Sequence, residues 1–73
     1  MGLVVVIADF STTSGFALSG ATVRPIDNSD EARRAWDDLP DDTLVVVLSP
    51  DAAAAIGDRP APRSNVLRVV LPS

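Results

Sequence analysis

The sequence predicts an α/β domain: a four-stranded parallel sheet in a βαβαβαβ succession, strand order 2-1-3-4, with helices on both faces. Three observations carry that expectation. The runs Leu3–Ala8 and Leu44–Leu48 are rich in β-branched residues and show no polar alternation, as strands buried on both faces do. Each is followed by polar capping residues and a short helical segment, the alternation that builds parallel sheets. The two other strand-like segments carry Pro25 and Arg68, which suit sheet edges. The first and third strands are therefore central. The order 2-1-3-4 follows, half of a doubly wound, receiver-like or flavodoxin-like fold.

Taken in order, Leu3–Ala8 is the first strand and runs straight into Asp9. Residues 11–20 read as a Ser/Thr-rich cap and a short helix stopped at Gly20, weakened from inside by Gly15. Thr22–Ile26 alternates polar and apolar residues and forms the second strand. The most regular helix is Asn28–Leu39. Asn28 and Glu31 make a capping box, and Asp30 and Glu31 suit the N-terminal dipole. Ala32, Ala35, Trp36 and Leu39 recur at i, i+3, i+4, i+7 as a buried stripe, and Pro40 ends the helix. After Leu44–Leu48, Ser49, Pro50 and Asp51 cap and open the helix Ala52–Ile56, which Gly57 stops. Asp58–Asn65, with Pro60 and Pro62, is a stiff loop. Val66–Leu71 is the last strand.

Seventy-three residues make a single small domain, and 47% of them are hydrophobic. The chain has no Cys, His or Lys. That excludes disulfides, thiolate zinc sites, Ser-His and Cys-His pairs, Schiff-base chemistry and the P-loop lysine. Ten acids against six arginines leave a net charge of -4, which argues against nucleic acid as a partner. Leu3–Ala8 is too short to span a bilayer and no basic stretch precedes it, so neither direct membrane insertion nor a signal peptide is expected, and the expected compartment is the cytoplasm.

The switch point of this strand order lies beyond the first and third strands, at Asp9, Ser11, Thr12, Thr13 and Ser49. A phosphoacceptor receiver would need a cluster of acids for Mg²⁺, an Asp ending the third strand and a lysine. Here the third strand ends Leu48-Ser49-Pro50. A IIB-type sugar phosphocarrier would need a phosphorylated Cys or His, and residues 9–20 hold no phosphate-binding glycine motif. Ser11, Thr12, Thr13 and Ser14 are read instead as capping the first helix. Asp37-Asp38, Asp41-Asp42 and Arg33-Arg34 are read as solvated, and Trp36 as core. No catalytic residue, metal, cofactor or small-molecule ligand is expected.

Thr12-Thr13-Ser14-Gly15-Phe16-Ala17-Leu18-Ser19-Gly20, directly after a Val-rich strand ending Ala8-Asp9, resembles the T-x-x-G-F-x-L-A/S-G signature of the F subunit of V-type and archaeal A-type rotary ATPases. The motif positions are Thr12, Gly15, Phe16, Leu18 and Gly20. The helix opening Asn28–Ala32, the Val-rich third strand and the final Leu71-Pro72-Ser73 fit the same pattern, so the likeness extends over essentially all 73 residues. The resemblance implies a non-catalytic component of the central stalk, or rotor, of a proton- or sodium-translocating ATPase. Such a component binds the coiled coil of the D subunit and couples ATP turnover in the A3B3 head to ion transport, in the cytoplasm and peripheral to the membrane. Family members continue past the fourth strand into a mobile C-terminal segment with a helix, and this chain departs from the pattern by stopping at Ser73. The alternative is a stand-alone receiver-like interaction module.

Right-handed crossovers put the first helix on one sheet face and the second and third on the other. Strands three and four are then partly bare on the first-helix side. If Arg68 points that way, Val66 and Val70 flank it. Phe16 and Leu18, two positions apart on a helix, point in nearly opposite directions, so that one enters the core. The expected partner surface comprises Thr13, Phe16, Leu18, Val66, Arg68 and Val70.

Overall fold

The computed structural model describes residues 2–62 and 65–72. Its sheet comprises β1 (Leu3–Ala8), β2 (Thr22–Pro25), β3 (Thr43–Leu48) and β4 (Leu67–Val70), all parallel in the order β2-β1-β3-β4. Between them run α1 (Phe10–Phe16), α2 (Ser29–Asp37) and α3 (Pro50–Ile56). The architecture is the expected one. Of the loop expected over Asp58–Asn65, Arg63 and Ser64 lie outside the described residues, as does Ser73 of the terminal tripeptide.

The apolar runs hold the centre because both faces of each are covered or partly covered. Val5 and Ile7 of β1 align with Val46 and Leu48 of β3, and all four are essentially inaccessible. They pack under Ala32, Ala35 and Trp36 of α2 and Ala52 and Ile56 of α3. Small alanines let these helices lie close to the sheet, while Trp36 fills the largest share of the space. Its indole Nε1–H donates to the Pro60 carbonyl at 3.1 Å, so the ring's polar edge is satisfied as well.

The helix starts differ from expectation in instructive ways. Asp9, rather than the Ser/Thr run, caps α1. Its carboxylate accepts from the Thr12 amide at 3.2 Å and the Thr12 hydroxyl at 2.7 Å. A carboxylate at the strand end outcompetes the hydroxyls because a charged acceptor makes the stronger bond. The hydroxyls of Thr13 and Ser14 instead donate back to carbonyls of the preceding turn. For α2, Asn28 Oδ1 accepts from Glu31 N at 2.9 Å, but the reciprocal Glu31 Oε1 accepts from Asp27 N at 2.7 Å, one residue earlier than in a capping box. The regular part of α2 stops at Asp37, with Leu39 buried beyond it. Ser49 caps α3 through Oγ, which accepts from Ala52 N at 3.1 Å. Asp37, expected to be solvated, is exposed yet takes a two-pronged ion pair from Arg59 at 2.8 and 2.6 Å.

Past Phe16 the chain tightens into a 3-10 turn, Ala17–Ser19, and leaves it through Gly20 at φ 86°. A side chain there would force the left-handed region. Gly15 differs: its φ is not positive, and a Cβ would meet nothing within 4 Å. We therefore expect opposite signs from one substitution type. Gly20→Ala should cost about 1–2 kcal/mol, whereas Gly15→Ala should add roughly 0.5–1 kcal/mol, both read from urea unfolding. A destabilised Gly15→Ala would show that α1 depends on that glycine structurally.

Candidate functional site

The pleat sorts β4 into two sets. Arg68 and Val70 align with Val46 and Leu48, on the α2/α3 side, while Leu67 and Val69 align with Val45 and Val47, on the α1 side. Arg68 accordingly turns away from α1. Its guanidinium donates to the Gly57 carbonyl at 2.7 Å and the Ala53 carbonyl at 3.3 Å, and lies 5.5 Å from the centroid of Trp36. Carbonyls at a helix C-terminus and an aromatic face both attract a cation, which explains the choice of side.

This corrects the expected surface. Val66 packs against the α2/α3 core, and Arg68 and Val70 share that side. Thr13 is 2% exposed, with its hydroxyl bonded back into α1. Phe16 and Leu18 do diverge: Phe16 lines a groove on the α1 side and Leu18 does not. Phe16 is half-buried, while Leu18 is 100% exposed.

On the α1 side the cover thins across the sheet. The helix packs over β1 and β2. Val6 is buried, Val45 and Val47 are half-buried, and Val69 and Leu67 reach 40% and 61% exposure. Phe16, Val4, Val6 and Val47 line an open groove of about 410 Å³ at the C-terminal end of α1. An apolar half-sheet continuous with a groove is a surface with the chemistry of a protein contact. Sequence reasoning missed Val4, Leu67 and Val69. The signal that could have found them was the parity of β4: once Arg68 is assigned to one face, Leu67 and Val69 belong to the other.

At the switch point, Asp9, Asp27, Asn28, Ser49 and Asp51 line a small cleft. Asp9, Asn28 and Ser49 are engaged in capping. Among the described residues, no group of three or more acidic side chains is arranged to hold a metal ion. No helix among them is long and apolar enough to cross a membrane. The Thr12 hydroxyl, then its amide, hold the Asp9 carboxyl below its ordinary value, and Arg59 does the same to Asp37. A depressed folded pKa contributes stability above the unfolded value of about 4, lost as pH falls through the folded one. Thr12→Val should therefore flatten the fall in melting temperature below about pH 5 and leave pH 5 to 8 unaltered in slope. An acid limb as steep as the parent's would remove Asp9 capping from its causes.

Compared with known proteins, the chain matches no protein-family model, and no curated protein matches it.

Proposed function

We propose that the chain is a non-catalytic stalk component of the F-subunit type, docking on the coiled coil of a rotary ATPase D subunit and coupling ATP turnover to ion transport. The observation that carries this reading is the uncovered apolar half of the α1 face, with the fully exposed Leu18 as a second apolar contact. Leu18 lies in the segment that resembles the family signature, and the segment's other residues support the same use. Ser11, Ser14 and Gly15 are exposed on α1, with Leu18 exposed in the 3-10 turn beyond it, so a partner helix could approach closely along small side chains. Gly15 has no steric duty in the fold, and close approach by a partner gives it one.

The test is co-expression with a D-type coiled-coil protein, followed by size-exclusion chromatography. A stoichiometric complex is expected. Separate elution of the two chains at micromolar concentration overturns the stalk reading and leaves a receiver-like interaction module of another kind.

A further inference from the structure

We propose that two copies of this chain pair through the outer edge of β4, antiparallel about a twofold axis at Val69, giving a continuous eight-stranded sheet. The inference does not rest on the stalk reading. It starts from which backbone groups are used. Leu71 N donates to the Leu48 carbonyl at 2.8 Å, so by the alternation of a strand Leu67, Val69 and Leu71 turn their N–H and C=O toward β3. Those of Arg68 and Val70 point outward, and among the described residues no strand pairs with them.

Edge strands usually discourage pairing with outward charge or proline. The β2 edge carries Pro25. The β4 edge lacks both devices, because Arg68, its one charged residue, is folded back onto the Gly57 and Ala53 carbonyls. No acid lies on β3 or β4, so the net charge of -4 resides on other parts of the chain and opposes contact least here. What such an edge lacks is another strand, and the register arithmetic shows that its own copy fits.

Antiparallel pairing bonds Arg68 and Val70 of one copy to Val70 and Arg68 of the other when the axis passes through Val69. Leu67 then faces Leu71, and Val69 faces Val69 about 4.5 Å away at the non-hydrogen-bonded position. Moving the axis to Arg68 sets two guanidinium-bearing residues directly opposite each other. Moving it to Val70 brings Pro72, which has no N–H, opposite Arg68. The register at Val69 separates the two arginines and sets Pro72 opposite Val66, outside β4, where the ladder ends. A twofold normal to the sheet also keeps faces matched, so the two uncovered α1-side surfaces would join.

Sedimentation equilibrium of the purified chain tests this, with a dimer expected at high micromolar concentration. Val70→Pro removes an outward N–H while leaving the β3 ladder intact, and should give a folded monomer. Val69→Lys and Val69→Glu should each be monomeric alone and form a heterodimer when mixed, because the two side chains meet on the axis. Circular dichroism establishes folding for each variant. A wild-type monomer at several hundred micromolar overturns the proposal. So does a dimer that survives in folded Val70→Pro, since contact would then run through the faces. Failure of the Lys/Glu pair to recombine overturns the register at Val69.

Discussion

Replacing Trp36 by alanine is expected to remove about a quarter or more of the domain's stability. The side chain is 2% exposed and sits where α2, the sheet and the loop after α3 converge. Truncating a buried tryptophan costs about 3–5 kcal/mol. A chain of this length holds roughly 4–11 kcal/mol in total, at the usual 0.05–0.15 kcal/mol per residue. The variant should therefore unfold at far lower urea, followed by circular dichroism because the only tryptophan is gone. Trp36→Phe separates the causes. It keeps most of the apolar bulk but gives up the bond to the Pro60 carbonyl and weakens the attraction for Arg68, for a loss of about 1–2 kcal/mol. An alanine variant within about 1 kcal/mol of the parent would mean that the core does not close around this ring.

Leu18→Asp is expected to leave the fold intact and abolish binding to a D-type coiled coil. A fully exposed side chain contributes little to stability, so the unfolding free energy should move by less than about 0.5 kcal/mol. Burying a leucine against a partner is worth about 1.5–3 kcal/mol, and the aspartate adds the cost of desolvating a charge. Together these predict at least a hundredfold loss in affinity by titration calorimetry, about 2.7 kcal/mol. Val69→Asp should act in the same direction because Val69 lies on the uncovered half of the α1 side. Val70→Asp, one position along but on the opposite face, is the control. If Val70→Asp weakens binding as much as Val69→Asp, the coiled coil does not dock on the α1 side.

The sheet was legible because its causes are local. Two uninterrupted β-branched runs can satisfy themselves only at the centre of a parallel sheet, and Pro25 excludes itself from that position. Helix starts were half legible. Asn28 and Ser49 cap as their sequence neighbourhoods suggest, but Asp9 was hidden because it ends a strand and the hydroxyls after it looked sufficient. The face of β4 was not legible. It depends on whether Arg68 finds carbonyls eleven and fifteen residues earlier in the chain, a tertiary matter that no local pattern announces. Because strand parity has a period of two, that one unknown moved Val70 to the α2/α3 side and brought Leu67 and Val69 to the α1 side.

The all-parallel pairing also limits how quickly the molecule can assemble. Among the described residues every neighbouring pair of strands is joined by a crossover, so none can zip up from a tight turn, and Val5 must find Val46 across most of the chain. Non-local topology of this kind slows folding relative to helical domains of equal size. Arg68 and Pro60 both reach Trp36 from segments that follow the central strands. The single indole is thus a built-in reporter of one step, and its fluorescence in stopped-flow refolding should follow the docking of β4 and the loop after α3 against α2.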